Sequence, residues 1–327
     1  MLAILVDHPG GPETLRIGEA AEPSPGPGEA LVAVKTVGVN RADLLQRMGK
    51  YPPPPGASPV LGLELAGEVI TDPTGRFDSG ARVMGVVTGG AYAERATVPA
   101  STLMPVPEGM DWVEAAAIPE AFLTAWLNLV DLGRLRTGDD VLIHAGASGV
   151  GSAAIQLARR HGGRIACTAG SEAKLELCRS LGATLAIDRH QADPSEVIRD
   201  AWGGVNLVLD FVGAPAWKGN LACLRRGGRL VLIGFLGGSR GDLDLGPVLR
   251  KNLTVSGTTL RATDPETKAT LVRAFVAGAL PDFASGELKA VVDRAMPLRE
   301  AAEAHRVMEA NRNAGKIVLV ADRRLEG

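Results

Sequence analysis

The sequence predicts an α/β protein in which a β-rich segment precedes a doubly wound parallel sheet of six strands. Three observations predict this class. Short apolar runs separated by glycine and proline fill the first hundred residues, strand and helix patterns then alternate, and a glycine-rich loop follows the first strand of that alternation. Short strands with turns between them are typical of a compact barrel, and the alternation is typical of a parallel sheet covered by helices.

Composition excludes several classes of protein. The chain has 327 residues, enough for two domains, with 46% hydrophobic and 22% charged residues and a formal net charge of −2. These values exclude disordered and collagen-like chains, and without a basic field we expect no nucleic-acid partner. We find neither a membrane-spanning apolar run nor a signal-peptide pattern. The three cysteines form no CxxC pair, which predicts reduced thiols in a cytoplasmic protein.

The β-rich segment contains five apolar runs that we interpret as strands, at residues 2–6, 30–39, 63–70, 81–87 and 91–98. The proline run that begins at Pro52 predicts a stiff loop, because proline fits neither a helix interior nor a central strand. From residue 112 the composition is helical, with an interruption at Pro119. We expect residues 1–120 to form a first domain.

Residues 121–260 are expected to form the second domain. Its strand candidates are residues 141–145, 164–169, 184–187, 206–211, 229–234 and 253–258. Helix candidates end near 160 and cover 172–180, 194–202 and 217–224. The strands are almost continuously apolar, which favours burial on both faces, and six of them match a complete Rossmann fold. The last strand is an apolar edge, which predicts pairing with a second copy and hence a homodimer.

A glycine loop lies between the first strand of the alternation and its helix. Glycine permits a tight turn and close approach of a ligand to the backbone, and a helix N-terminus attracts an anion. In this strand–loop–helix context the loop predicts binding of a dinucleotide pyrophosphate. The candidate residues are Gly146, Ala147, Ser148, Gly149, Val150 and Gly151. Ser148 replaces the middle glycine of the usual motif, and the pattern of a nucleophilic serine is absent because Val150 follows.

The end of the second strand predicts which nucleotide binds. Sites that prefer NAD usually carry Asp or Glu there, to bond the ribose 2′-hydroxyl. This chain has Gly170 and Ser171 instead, with Lys174 one turn later and Arg189 after the third strand. Serine and cationic side chains can bind a 2′-phosphate. We therefore expect NADPH, although Lys174 and Arg189 could also be ordinary surface charges.

The segments VNRADLLQRMGKYPPPPGAS, AAAIPEAFLTAW, VLIHAGASGVGSAAIQLA and MEANRNAGKIVL resemble the quinone oxidoreductase branch of the medium-chain dehydrogenase/reductase superfamily, close to the p53-inducible type. The resemblance covers nearly the whole chain. It implies a GroES-like β-barrel catalytic domain over residues 1–120, completed by residues 261–327, and a Rossmann domain over residues 121–260. These motifs are specific for the branch and less specific for the substrate.

The resemblance also implies that no catalytic zinc is bound. Zinc-dependent members carry a cysteine and a histidine where this chain has Asn40 and Leu63, and Glu64 is present without those partners. Thiolate and imidazole are the ligands that bind zinc tightly. We expect direct hydride transfer to an electron-poor acceptor, whose developing oxyanion one or two hydrogen-bond donors can stabilise.

The candidate catalytic residues are implied by the same resemblance. Tyr51 matches a tyrosine that the family places near the nicotinamide, Asn40 matches the residue that replaces the zinc cysteine, and Asp43 belongs to the same loop. A second tyrosine of bacterial members is replaced by Leu45, so a phenolic proton donor could only be Tyr51. Each candidate has a structural alternative, namely packing for Tyr51, a turn cap for Asn40 and a helix N-terminal charge for Asp43.

The resemblance assigns the remaining cofactor contacts, in addition to Asn40 and Tyr51, to residues near the sheet edge and in a return loop: Thr124, Val212, Gly213, Gly234, Phe235, Leu236, Asn311 and Lys316. For Phe235 a core aromatic is an equally open interpretation, and His144 is expected to be a core residue rather than a base. The leading hypothesis is an NADPH:quinone oxidoreductase. Two alternatives stay open, namely a reductase of α,β-unsaturated carbonyls, including enoyl thioesters, and a non-catalytic NADPH-binding protein. The physiological acceptor and the one- or two-electron course of the reaction also stay open.

Overall fold

The computed structural model describes residues 1–321, which form two compact units. The first unit consists of Met1–Leu123 together with the described chain from Arg261, and the second is Thr124–Leu260. The strands are β1 (Leu2–Val6), β2 (Leu15–Glu19), β3 (Glu29–Gly38), β4 (Glu64–Thr71), β5 (Arg82–Val86), β6 (Arg95–Pro99), β7 (Leu103–Pro105), β8 (Val141–Ile143), β9 (Ile165–Ala169), β10 (Leu185–Asp188), β11 (Val205–Asp210), β12 (Leu224–Leu232), β13 (Thr254–Gly257), β14 (Val292–Pro297) and β15 (Lys316–Val320).

The helices are α1 (Arg41–Arg47), α2 (Trp112–Ala116), α3 (Pro119–Trp126), α4 (Gly149–Arg159), α5 (Glu172–Leu181), α6 (Pro194–Trp202), α7 (Trp217–Cys223), α8 (Gly246–Arg250), α9 (Pro265–Gly278), α10 (Pro281–Ala284) and α11 (Ala301–Glu309). Pro119 separates α2 from α3, as the sequence predicts. Within the part of the chain described, no helix combines the length and apolarity that crossing a bilayer requires.

The first unit is built around a seven-stranded sheet. Its strand order is β14-β15-β3-β4-β5-β7, with β6 paired to β3, and β1 and β2 form a separate antiparallel pair. Strand β3 buries alternate residues along most of its length, and α11 places Ala301, Ala304, Val307 and Met308 in the same core. The period of two in the strand and of three to four in the helix direct these apolar faces inward.

Most strands expected in this unit are confirmed, and three were not recognised. Strands β2, β7 and β14 are missing from the sequence interpretation because they carry little apolar signal. Strand β14, with sequence VDRAMP, has no fully buried residue, yet it pairs in parallel with β15. The expected strand at 91–98 is shorter in the structure and begins at Arg95, while Ala93 forms an isolated bridge with Ala3.

The second unit contains the predicted six-stranded parallel sheet, in the order β10-β9-β8-β11-β12-β13. Strand β9 is buried at all five positions, which confirms that both faces are covered. Helices α5 and α6 end at Gly182 and Gly203, whose positive φ angles of 115° and 71° suit a left-handed cap. The sheet reverses its strand order between β8 and β11, where ligands bind in folds of this kind. Strand β13 lies at one edge, as predicted.

Candidate functional site

The glycine loop joins β8 to α4, and its glycines allow it to pack closely against neighbouring parts of the second unit. Ser148 caps α4, since its Oγ accepts a hydrogen bond from the Gly151 amide at 3.0 Å. A Cβ atom at Gly151 would lie 2.3 Å from the Ala145 carbonyl oxygen, and one at Gly146 would lie 2.8 Å from Cβ of Cys167. Only glycine therefore fits at either position. The first amides of α4 have no acceptor within the helix, which leaves a positive end suited to a pyrophosphate.

His144 lies directly before this loop and is engaged in the core, as expected. Its Nε2 lies 2.7 Å from Oδ1 of Asn220 and its Nδ1 lies 3.1 Å from Oγ1 of Thr168. The amide oxygen only accepts, so Nε2 carries the proton and Nδ1 accepts from the hydroxyl. Burial lowers the pKa of His144. A neutral histidine with both nitrogens occupied is a structural residue.

The end of β9 carries a cation where a carboxylate would select NAD. A Cβ atom at Gly170 would lie 2.7–2.9 Å from the guanidinium atoms of Arg189, so this guanidinium lies directly over the glycine. The Arg189 amide donates to the Ala169 carbonyl at 3.1 Å, which ties the ends of β10 and β9 together. The nearby Glu172 pairs with Arg179 at 2.6 Å, and its charge is therefore already compensated. Ser171 and Lys174 belong to the same turn, at the start of α5.

The turns after β11 and β12 lie at the carboxyl edge of the same sheet. Asp210 shapes the first turn, because its Oδ1 accepts from the amides of Val212 at 2.7 Å and Gly213 at 3.2 Å. Phe235 and Leu236 are each 55% exposed, which excludes a core role for Phe235. The predicted residues at this edge are Val212, Gly213, Gly234, Phe235 and Leu236.

Two other predicted cofactor contacts have neighbours within their own units. Thr124 is 7% exposed in α3, and its carbonyl accepts from Nδ2 of Asn128 at 2.7 Å. Asn311 adopts a left-handed conformation with φ of 52°, and its Oδ1 accepts from Nη2 of Arg41 at 2.7 Å. Their proposed contacts with a cofactor stay predictions.

In the first unit, Glu64 is the centre of a buried polar cluster. Its Oε1 lies 2.5 Å from Nζ of Lys316 and accepts from Nδ2 of Asn40 at 2.9 Å. Its Oε2 accepts from the amide of Glu120 at 2.8 Å. Glu64 is 0% and Lys316 is 4% exposed. One carboxylate therefore joins β4, the start of α1, the start of α3 and β15.

The sequence predicts that Asn40 and Lys316 contact the cofactor. In the structure, the polar atoms of both side chains form hydrogen bonds within the cluster. Lys316 Nζ also donates to the Val39 carbonyl at 2.8 Å and to Oδ1 of Asn40 at 2.7 Å. An ammonium group has three donors, and all three have acceptors within this unit. The Lys316 ammonium therefore has no donor left for a cofactor, and the prediction that Lys316 binds one is not supported. Asn40 likewise commits its amide to Glu64, to Lys316 and to the Gly38 carbonyl at 3.2 Å.

Asp43 is fully buried and caps the helix that Asn40 begins. Its Oδ2 accepts from the Asn40 amide at 2.8 Å and from the Tyr92 hydroxyl at 3.2 Å. The Tyr92 oxygen in turn accepts from Nε2 of His305, whose Nδ1 accepts from Nη1 of Arg47. Burial raises the pKa of Asp43 to about 7 and lowers that of His305 to about 3. Asp43 therefore has the structural role that was the alternative to a catalytic one, as a carboxyl group at the N-terminus of a helix. Its side chain reaches no solvent.

Tyr51 packs on a residue that sequence reasoning missed. The guanidinium carbon of Arg261 lies 5.3 Å from the centre of the Tyr51 ring. Nε and Nη2 of Arg261 both donate to the Thr88 carbonyl, at 2.9 Å and 2.5 Å. Arg261 is 6% exposed, and within residues 1–321 its Nη1 has no hydrogen-bond acceptor. The sequence offers no signal for it, because it is one arginine in an irregular stretch.

Glu120 is the second residue that was missed. It lies in the first turn of α3, directly after Pro119, and is half-buried. Burial, and then the charge of Glu64, raise the pKa of Glu120 to about 8. Glu120 lies in the motif PEAFLTA, from which the sequence prediction takes only Thr124.

Comparison with known proteins identifies both units. Residues 26–108 match the family described as alcohol dehydrogenase GroES-like domain, and residues 149–277 match the family described as zinc-binding dehydrogenase. Together these units define an oxidoreductase of the dehydrogenase and reductase class. The chain belongs to the medium-chain dehydrogenase/reductase superfamily.

Solved and curated relatives extend this result. An NAD-dependent alcohol dehydrogenase is 33% identical with a TM-score of 0.86, and the match covers 98% of this chain and all of that chain. The Escherichia coli quinone oxidoreductase complexed with NADPH is 29% identical with a TM-score of 0.88, over 98% of this chain and all of that chain. A mycocerosic acid synthase-like polyketide synthase of Mycobacterium tuberculosis is 38% identical over 97% of this chain, which spans 15% of the length of that synthase.

The residues of the first unit do not fit the zinc ion that one family description implies. The cluster offers the Asn40 amide and the carboxyl groups of Asp43, Glu64 and Glu120, and the Lys316 ammonium already occupies Oε1 of Glu64. All three cysteines belong to the second unit and are buried. Over residues 1–321, no group of three or more His, Cys, Asp or Glu side chains could hold a metal ion. No catalytic step is therefore assigned to zinc.

Proposed function

We propose that the protein is a zinc-independent NADPH:quinone oxidoreductase. The observation that carries this proposal is the presence, in one unit, of both the glycine loop and the Arg189 guanidinium over Gly170. The loop offers a helix N-terminus to a pyrophosphate, and the guanidinium stands where a 2′-phosphate needs a cation. The NADPH complex of the structurally similar E. coli quinone oxidoreductase supports the same assignment.

The residues of the second unit fit NADPH by shape and charge. Gly146 and Gly151 let the loop and the first turn of α4 pack closely on the protein, because a Cβ at either position would meet Cys167 or the Ala145 backbone, and this packing sets the α4 N-terminus at the end of β8. Arg189, with Ser171 and Lys174 beside it, would hold the 2′-phosphate by charge-assisted hydrogen bonds. When bound, NADPH supplies a hydride.

In the first unit, the polar cluster provides a rigid support for the acceptor. Glu64 and Lys316 hold Asn40 by its side chain, and Asp43 holds it by its backbone, so α1 and the loop to Tyr51 have a fixed starting point. We propose that Tyr51, stacked on the Arg261 guanidinium, presents its ring to a flat acceptor. A quinone that accepts a hydride delocalises the charge, and it therefore needs few donors to stabilise it.

A second candidate function is reduction of α,β-unsaturated carbonyls, including enoyl thioesters. The similarity to mycobacterial polyketide synthases over 97% of this chain favours it. In such acceptors the hydride adds to the β-carbon and the charge collects on the carbonyl oxygen. The cofactor and the supporting cluster would be the same for both candidates.

The decisive experiment measures steady-state NADPH oxidation with a panel of quinones and a matched panel of enones and enoyl thioesters. We expect turnover of quinones with NADPH in preference to NADH, and no loss after dialysis against a chelator. Faster turnover of the enone panel would replace the first candidate by the second. Tight NADPH binding in calorimetry with no turnover of either panel would identify a non-catalytic NADPH-binding protein.

We also propose a homodimer in the cytoplasm. Strand β13 is paired only on its β12 side within the described chain, and Leu249 in the adjoining α8 is 81% exposed. An unpaired edge beside exposed apolar groups favours association with a second copy. Light scattering at micromolar concentration tests this, and a monomeric mass would refute it. The three free, buried cysteines agree with a reducing compartment.

A further inference from the structure

Glu120 differs from the other two carboxyl groups of the polar cluster. Asp43 and Glu64 are fully buried, and each accepts at least two hydrogen bonds. Glu120 is half-buried, and within the described residues its carboxyl oxygens accept no hydrogen bond and form no ion pair. Its backbone is nevertheless fixed, because its amide donates to Glu64 at 2.8 Å. The cluster thus presents one carboxyl group that is held in place and not used by the protein.

A second observation points to the same location. Arg261 is 6% exposed and leaves Nη1 without an acceptor, although its other nitrogens bond Thr88. Burial lowers the pKa of Arg261, and the nearby Tyr51, Asp43 and Glu120 groups partly offset this. An unpaired donor buried in a protein is costly unless a ligand or water completes it. Glu120 and Arg261 thus influence each other electrostatically, and each has polar atoms that the protein leaves unused.

The environment of Glu120 favours the protonated form of its carboxyl group. Burial and neighbouring carboxylates oppose ionisation, and the pKa is raised to about 8. Nearby cations and the N-terminus of α3 stabilise the carboxylate once it forms. The charged groups that influence the pKa of Glu120 are Glu64 in β4, Lys316 in β15, Asp43 in α1 and Lys268 in α9, and Glu120 in turn influences the pKa of Arg261 before α9.

We propose that Glu120 is the proton donor of the reaction and delivers its carboxyl proton to the acceptor oxygen. This inference rests on the proposed function and replaces Tyr51 as the candidate acid. The hydride and its electron pair reduce the acceptor, and the charge reaches its oxygen. The O–H bond of Glu120 then breaks as a new O–H bond forms on the acceptor, giving a hydroquinone or an enol. Water returns a proton to the carboxylate, so one NADPH and one proton are consumed per acceptor.

The test compares Glu120→Gln with Glu120→Asp and with Glu114→Gln. Glutamine keeps the shape but cannot donate an acidic proton, whereas aspartate can. Glu114 is a matched control, because it is an exposed glutamate in the first turn of α2 in the same unit. We expect Glu120→Gln to lower kcat on an enone by about 10²–10⁴-fold, Glu120→Asp to recover part of it, and Glu114→Gln to behave as wild type. NADPH affinity, measured by fluorescence titration, should be unchanged in all three.

Two readouts separate an acid from a structural residue. With a tetrahalogenated quinone, whose reduced form is stable as an anion, Glu120→Gln should lose less than about threefold in kcat, because no acid is needed. The alkaline limb of the wild-type pH profile, governed by the pKa of about 8, should disappear in the variant. Equal losses with both acceptors, or a Glu120→Gln enzyme as active as Glu114→Gln, would overturn the inference.

Infrared titration of the protein without ligands gives a result that does not depend on turnover. One component of the carbonyl stretch of protonated carboxyl groups should be present at pH 7, be lost as the pH rises through about 8 and be missing from Glu120→Gln, in which the remaining component belongs to Asp43 with its pKa of about 7. A Glu120 that is already ionised at pH 7 would overturn the inference even if quinones are reduced. Conversely, a wild-type protein that reduces neither acceptor class refutes the proposed function, whatever the infrared result.

Discussion

The replacement Lys316→Met breaks the buried ion pair at the centre of the polar cluster. The ammonium lies 2.5 Å from Oε1 of Glu64, and the two side chains are 5% and 0% exposed. Methionine fills similar space without the charge, so Glu64 keeps only the amides of Asn40 and Glu120 as donors. Removing one partner of a buried pair costs about 3–5 kcal/mol, because the remaining charge has neither water nor counter-ion. We expect the free energy of unfolding of the first unit to fall by that amount.

Lys35→Met is the matched control. Lys35 pairs with Glu68 at 3.0 Å between β3 and β4 of the same unit, but the two side chains are 36% and 44% exposed. Water screens such a pair, so its loss should change the free energy of unfolding by about 1 kcal/mol or less. Adding Glu64→Gln to Lys316→Met removes the uncompensated charge and should recover part of the lost stability.

The assay has to report on the first unit specifically. Three of the four tryptophans, Trp126, Trp202 and Trp217, lie in the second unit, and fluorescence would follow mainly that unit. Hydrogen exchange of peptides from β4 and β15 in increasing urea measures the correct region. If Lys316→Met loosens these strands no more than Lys35→Met does, the ion pair does not stabilise the cluster and the reasoning is refuted.

Three further predictions follow from the site. Reversing charge at Lys174 and Arg189 together should raise KM for NADPH by about tenfold more than KM for NADH, measured in steady state; equal effects would exclude a 2′-phosphate site. Tyr51→Phe should keep quinone turnover within twofold, since the ring rather than the hydroxyl is used, and a larger loss at unchanged NADPH affinity would restore Tyr51 as a donor. Burial raises the pKa of Asp43 from an ordinary 3.8 to about 7, so Asp43 is protonated in the folded protein at pH values where it is ionised in the unfolded chain. The resulting contribution to the free energy of unfolding is fully present below pH 4 and is lost as the pH rises through 7. Asp43→Asn should flatten that decline in a series of thermal melts, and an unchanged slope would contradict the assignment.

The second unit could be predicted almost completely from the sequence. Its strands are apolar on both faces, and its helices begin and end at residues with clear local signals, such as Gly182 and Gly203. The glycine loop is contiguous in the chain, so its six residues could be recognised as one motif. Strand β12 is recognised only in part, since the glycines near its start hide five of its residues from an interpretation based on apolar runs, and the short helix α8 is not predicted.

The site of the first unit could be predicted only in part. Asn40, Asp43 and Tyr51 are close in sequence and were found together, but their actual partners come from distant segments. Glu120 and Arg261 gain their significance only from burial and from neighbours that folding brings together. Lys316 was found for a cofactor role, although its ammonium has three acceptors within the unit. Patterns in the sequence reveal which residues are available, but not which of their polar atoms remain unused.

The span of the polar cluster has a consequence for biosynthesis. Lys316 is translated 276 positions after Asn40, with which it shares a hydrogen bond, and the whole second unit is made in between. The second unit is contiguous and can fold on the ribosome, as contiguous domains generally do. Glu64 must meanwhile remain solvated, because its counter-ion has not yet been synthesised. The first unit therefore begins synthesis first but completes its folding last, and a chain that is released before Lys316 is added has a second unit that can fold and a first unit that cannot.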